Sequence, residues 1–200
     1  MQDYTSNNIY SLKHHLEQIL NLNFHFMAMV VLCASITSPA TFAGQSESQD
    51  AYFQMIAGFC GTSFTGQSSF PEDPGDSFRG KELVAYIETC GPDEIRIPFN
   101  VGEDHSRTWV LRRAEGGLQL KHDHRHADGT PDEVTMYGGT TLSSGSPLAQ
   151  SFPADDYTAD LIPEAATNEW FLSFSEDGTG LTYYLERHGK PRFRATLKKN

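Results

Sequence analysis

The chain has 200 residues, of which 38% are hydrophobic, 12% aromatic and 20% charged, a globular composition that excludes an intrinsically disordered chain. Asp and Glu number 26 against 15 Lys and Arg, giving a formal net charge of −11. Such a chain has no basic field to attract phosphates, so nucleic acid is not an expected partner.

The segment Phe24 to Gln45, FHFMAMVVLCASITSPATFAGQ, runs from apolar to small to polar. That is the order of a secretory apolar region followed by a cleavage site, here between Ala43 and Gly44, with a cut after Ala40 as the second choice. Residues 1–43 then form a cleaved signal-peptide region and 44–200 a single mature domain, exported to the periplasm or secreted. The run falls short of the ~20 apolar residues a membrane span needs. His25 and Pro39 also interrupt it, so no stable membrane span is expected after cleavage. Cys33 lies in the removed part, which leaves Cys60 and Cys90. An even count in an exported protein predicts a disulfide between them.

Gly44 to Asp50 reads as a polar leader, and Ala51 to Gly58 as a helical turn or the approach to a strand. Phe59 to Phe70 is short and β-compatible, and Pro71 to Gly80 is a loop rich in proline, glycine and acid. Glu82 to Thr89 reads as a strand. After a turn at Cys90-Gly91-Pro92-Asp93, Ile95, Ile97, Phe99 and Val101 alternate with polar residues, the period of a half-buried strand. Arg107 to Arg113 follows as a strand, with Trp109 and Leu111 on its apolar face.

Glu115-Gly116-Gly117 then turns the chain into LQLKHDHRH, where His122, His124 and His126 share the parity of Leu118 and Leu120. Alternate residues of a strand face the same way, so the imidazoles continue an inward face. A two-residue turn sets Leu111 opposite Leu120, Trp109 opposite His122, Arg107 opposite His124 and His105 opposite His126. Beyond Ala127–Pro131 two registers are open. An Asp128-Gly129 turn brings Glu133, Thr135 and Tyr137 beside the histidines; a five-residue loop brings Val134 and Met136 there instead.

Gly138 to Ala166 is irregular, with a helical turn expected near Ala154 to Leu161. Asp177-Gly178 signals a type I′ hairpin that pairs Phe174 with Leu181, Leu172 with Tyr183 and Trp170 with Leu185. A three-residue Gly189-Lys190-Pro191 loop would then pair Leu185 with Ala195 and Tyr183 with Leu197. Two cationic runs, Arg107–Arg113 and Arg187–Lys199, read as solvated strand faces.

Short strands with turn signals and almost no helical periodicity predict an all-β fold. An antiparallel up-and-down β-barrel with one short helix is favoured, and a β-sandwich is the alternative. The layout resembles that of the calycin-type barrels, the lipocalins and their relatives, with Gly58-Phe59-Cys60-Gly61 in the place of their first strand but without the tryptophan usual there. The blocks RIPFNVGEDHSRTW and LKHDHRHADGTPDEVTMYGG resemble those of a group of uncharacterised exported bacterial proteins, a resemblance that implies export and no particular chemistry.

Two kinds of function fit the histidine strand. Arg107, Trp109, His122, His124 and Tyr137 form one wall of a pocket for a small-molecule, anionic ligand: guanidinium and imidazole for a carboxylate or phosphate, rings for an apolar body. The alternative is a metal-dependent, zinc-type hydrolase or lyase in which His122, His124, His126 and Glu133 supply ligands to a divalent transition metal. On an extended strand the first and third histidines stand roughly 13 Å apart, at about 3.3 Å per residue, so two of them plus a ligand from elsewhere is the practical set. No GxSxG, P-loop, HExxH or dinucleotide-binding glycine pattern is present.

Overall fold

The computed structural model describes residues 45–71 and 75–200. The signal-peptide region expected at 1–43 lies outside the described residues.

Helix α1 spans Glu47–Ala57. It is longer than the helical turn expected there and includes most of the supposed polar leader. The reason is a capping box: the Ser46 hydroxyl accepts from the Gln49 amide while the Gln49 side chain accepts from the Ser46 amide. Tyr52, Phe53 and Ile56, spaced for one helical face, are buried. Gly58 ends the helix and residues 58–61 are a turn. The first strand therefore starts at Ser63 and not at the Gly58–Gly61 position that the calycin layout suggested.

Eleven strands follow. They are β1 Ser63–Phe70, β2 Leu83–Tyr86, β3 Thr89–Cys90, β4 Glu94–Val101, β5 Arg107–Ala114 and β6 Gly117–His124, then β7 Tyr137–Thr140, β8 Ala149–Pro153, β9 Asn168–Phe174, β10 Gly180–Arg187 and β11 Lys190–Lys199. Helix α2, Asp156–Leu161, falls within the window expected for it and is followed by a 3₁₀ turn at Pro163–Ala165. The sheet order is β7-β6-β5-β4-β2-β1-β11-β10-β9-β8, with β3 on β4, and the pairings are antiparallel. Almost every neighbour is also the next strand along the chain, and β1 on β11 joins the two halves. This is a nearly closed up-and-down barrel, the all-β architecture that the strand pattern implied. The remaining seam, between β7 and β8, is crossed by a single bridge from Gly139 to Ala154.

The interior is set by strand alternation, seen most plainly on β4, where Ile95, Ile97, Phe99 and Val101 are buried and their neighbours are half-buried. The β9–β10 register is the expected one. Its turn is not type I′, because Asp177 keeps a negative φ while Gly178 takes φ +69. The Asp177 carboxylate instead accepts from the Ser175 hydroxyl and from the amide and hydroxyl of Thr179. The β10–β11 register differs by two residues from expectation: Leu181 faces Leu197, Tyr183 faces Ala195 and Leu185 faces Phe193. A tight turn with His188 at φ 53 and Gly189 at φ 65 replaces the three-residue loop, and a bulge between Leu185 and Glu186 restores the inward face.

The two ends of the barrel differ. At one, α1 lies across the strand ends. Arg113 pairs with Asp50, and its guanidinium stacks 4.3 Å from the Phe53 ring centre. Tyr52 donates to the Leu172 carbonyl over 2.9 Å, and Gln49 donates to Thr141 over 2.7 Å. The disulfide Cys60–Cys90 joins the turn after α1 to β3. The opposite end is ringed by the last residues of β6 and β10 and the first of β5, β7, β9 and β11. The histidine strand finishes there. Among the described residues no helix is long and apolar enough to cross a membrane.

Candidate functional site

On β5 and β6 the pairs are Arg107 with His124, Trp109 with His122 and Leu111 with Leu120, as the turn geometry required. The ladder ends at Arg107–His124, so His105 and His126 are not paired. His126 is exposed and its amide donates to the Thr130 carbonyl. Neither register foreseen for the next strand is adopted. The Asp132 amide meets the His124 carbonyl and the Met136 amide meets that of His122, while Glu133 and Val134 bulge away between them and the Thr135 hydroxyl accepts from the His124 amide over 2.8 Å. Tyr137 thus reaches His122, whereas Glu133 is exposed. Met136 takes φ 56 to make the return.

His122 is buried among rings. Tyr137 stacks on it at 4.8 Å and 9°, and Trp170 and Tyr183 lie 5.2 and 6.1 Å away. Its Nδ1 is 3.2 Å from the Tyr137 carbonyl and its Nε2 is 2.9 Å from the Tyr183 hydroxyl. A carbonyl only accepts, so Nδ1 carries the proton and Nε2 accepts from Tyr183. Burial pushes the pKa of His122 down to about 3, which keeps the ring neutral. Burial likewise raises Tyr183 well above the ordinary phenol range and Tyr137 to about 12. His124 is half-buried, with Nε2 3.0 Å from the Tyr137 hydroxyl, and burial followed by the nearby Arg107 charge lowers its pKa. Arg107 pairs with Asp104 at 2.6 Å and lies over the Phe78 ring at 5.2 Å. Trp109 is a core side chain, stacked on Phe99 at 4.2 Å.

Both nitrogens of His122 are therefore committed within the protein. Among the described residues no three His, Cys, Asp or Glu side chains are grouped to hold a metal ion. His122, His124, His126 and Glu133, put forward together as metal ligands, are separated into interior, rim and solvent positions.

Next to this network a cavity of about 330 Å³ opens at the unplugged end. Its aromatic wall is Phe78, Tyr137, Trp170, Tyr183 and Phe193. Pro71, Ile162, Ala165 and Leu185 add aliphatic surface, and Asp76, Ser77, Asn168, Arg187 and Arg192 are its polar members. Of the residues proposed from sequence to line a pocket, Tyr137 does so. His122 stands behind Tyr137 and Tyr183, Trp109 behind Tyr183 at 4.6 Å, and Arg107 behind Phe78.

Sequence reasoning missed the β9–β11 side of this cavity. One signal was present. Arg187 continues the inward parity of Tyr183 and Leu185 just as the histidines continue that of Leu118 and Leu120, yet its run reads as a solvated face. Asp76 and Ile162–Ala165 come from loops and had no such signal.

Two networks outside the barrel were also unforeseen. Asp123 is buried under Arg96, 2.6 Å away, and Arg125. Lys121 is buried against Asp155.

The chain matches no protein-family model, and no curated protein or solved structure is found to resemble it.

Proposed function

We propose that this is an exported β-barrel protein that binds a small molecule in the cavity at its open end, with the histidine strand supporting the wall. The observation that carries this reading is the cavity itself. Its volume of about 330 Å³ lies within the range of ligand sites, and a lining that sets five aromatic rings beside charged and polar side chains suits a ligand that is partly apolar and partly polar. The neutral, doubly bonded His122 has the role of a rigid prop: it fixes the rings of Tyr137 and Tyr183, two members of the wall.

Export is supported by the Cys60–Cys90 disulfide, which persists in oxidising compartments, and by the apolar-then-small pattern ending at Ala43. The resemblance to exported bacterial proteins with the HDHRH-x-DGTP block belongs to the same proposal. Sequencing the amino terminus of the protein recovered from the cell envelope or medium tests it. A start at Gly44 supports export, and an intact chain in the cytoplasm refutes it.

Native mass spectrometry tests the binding reading. Protein purified from expressing cells should carry a non-covalent adduct that is lost in Ala165→Phe, whose ring occupies the cavity. A folded protein without adduct, or an adduct that Ala165→Phe leaves in place, refutes it.

A further inference from the structure

From the cavity's polar members we infer the class of ligand: a planar, ring-containing carboxylate that also carries an O–H or N–H donor. This rests on the binding reading above and goes on to assign the ligand's chemistry.

The cavity presents Arg187 and Arg192, both from the run at the end of β10 and start of β11. Neither guanidinium forms an ion pair among the described residues. Arg187 donates through Nε to the Asn168 side chain over 2.9 Å, which aims the guanidinium and leaves its terminal nitrogens uncommitted. Elsewhere this acidic chain pairs its inward or half-buried arginines with carboxylates: Arg96 with Asp123, Arg107 with Asp104, Arg112 with Glu94 and Arg113 with Asp50. Arg187, half-buried and without an ion pair, is the exception, and the exposed Arg192 stands at the same cavity. A carboxylate is the group whose geometry a guanidinium fork matches through paired N–H bonds.

Asp76 gives the second requirement. Its Oδ2 is buried with no hydrogen-bond partner among the described residues. Asp76 is not the counter-ion of either arginine, since no ion pair joins them. A buried acceptor left unsatisfied is destabilising, and a donor on the ligand relieves it. The rings of Trp170, Tyr137, Tyr183, Phe78 and Phe193 line the same cavity and suit a ligand whose body is itself a ring.

The test uses three one-ring probes, with binding read by calorimetry and by tryptophan fluorescence. 4-Hydroxybenzoate has the carboxylate and the donor, benzoate lacks the donor, and 4-hydroxybenzamide lacks the charge. 4-Hydroxybenzoate should bind at least tenfold more tightly than the amide, and Arg192→Gln should abolish that preference. Arg192 is exposed and makes no hydrogen bond or ion pair among the described residues, so its replacement leaves the fold intact. The preference for 4-hydroxybenzoate over benzoate should vanish in Asp76→Ala. An amide that binds as well as the acid, or a preference that survives Arg192→Gln, overturns the assignment and leaves the cavity-binding reading standing. Equal binding of benzoate and 4-hydroxybenzoate overturns the donor half. If none of the three binds, the assignment falls, and the adduct experiment on the purified protein decides the broader reading by itself.

Discussion

Tyr183 donates its hydroxyl proton to Nε2 of His122 across 2.9 Å, and this bond ties β10 to β6 through the inside of the barrel. The strands are not neighbours in the sheet, so a side-chain bond connects them where no backbone ladder does. His122→Ala removes this bond, strands the Tyr137 carbonyl and empties a space among three rings. It is expected to destabilise the protein by about 2–4 kcal/mol, from lost packing plus unsatisfied buried groups. Tyr183→Phe keeps the packing and loses only the bond, so its cost is expected near 1–2 kcal/mol. Urea unfolding midpoints check both. Equal midpoints for wild type and His122→Ala would show that the imidazole contributes nothing.

The same ring makes stability depend on pH. His122 has a folded pKa of about 3 against 6.5 unfolded. Below 6.5 the unfolded chain takes up a proton that the folded chain refuses. The contribution is thus fully present above pH 6.5 and is lost as pH falls towards 3, with a slope of up to about 1.4 kcal/mol per pH unit. His124, lowered mainly by its own burial, adds in the same direction. Asp104 acts in a lower window: its pKa is depressed to about 2, chiefly by the Ser106 hydrogen bond, so its contribution is lost only as pH falls from about 4 towards 2. Urea midpoints measured from pH 7 to pH 4 should fall in the wild type and fall less steeply in His122→Gln. Nitrogen-15 shifts of His122 should show Nδ1 protonated and no titration down to pH 5; a midpoint near 6.5 would contradict the buried neutral ring.

The features of the sequence that carry strict periodicity foretold their places well. The β5–β6 and β9–β10 registers follow from alternation plus short turns, and Cys60 and Cys90 form the expected bond. Registers set by a bulge did not follow, because a bulge shifts parity without a distinctive residue. The β10–β11 return and the bulge at Glu133 and Val134 are the two cases. Helix α1 exceeds the helical turn expected there because its Ser46–Gln49 capping box lies within a polar run that carries no helical periodicity. The inward histidines were legible, but depth was not. Parity shows which way a side chain points and not how many layers lie between it and a cavity, so Trp109 and His122 were placed in a wall that Tyr137 and Tyr183 actually form. Outward parity likewise does not mean exposed, since Arg96 and Arg125 cover Asp123.

Loss of the disulfide should loosen the plugged end. Cys60 and Cys90 lie 30 residues apart, and closing a loop of that size contributes about 3–4 kcal/mol in the chain-entropy account. The bond also holds the turn after α1 against β3, beside amide bonds from Gly61 to Ile87 and from Ile87 to Thr62. The Cys60→Ser/Cys90→Ser double variant should therefore unfold at lower urea by that amount, and thiol titration of the unreduced wild-type protein should find neither cysteine free. An unchanged midpoint would mean that the Arg113–Asp50 pair and the buried face of α1 hold that end without help.

The barrel seam gives the sharpest test of the fold. A Cβ on Gly139 would come within 1.8 Å of the Pro153 carbonyl oxygen, a distance at which backbone must move. Gly139 is also the residue that bridges to Ala154 across β7 and β8. Next to it, the Thr158 hydroxyl accepts from the Gly138 amide at 2.7 Å, and the Asp155 amide donates to the Gly138 carbonyl at 3.1 Å, so α2 hangs on the same strand. Gly139→Ala must push β7 away from β8 and break these bonds together, at an expected cost of about 3 kcal/mol. Because the segment after α2 carries Ile162 and Ala165 into the cavity, the same change should weaken 4-hydroxybenzoate binding without touching any residue that lines it. Hydrogen exchange at Gly138 and Asp155 should quicken in the variant while the β9–β10 ladder stays protected. Unchanged exchange there would show that the seam yields without strain and that the bridge plays no part in holding the barrel closed.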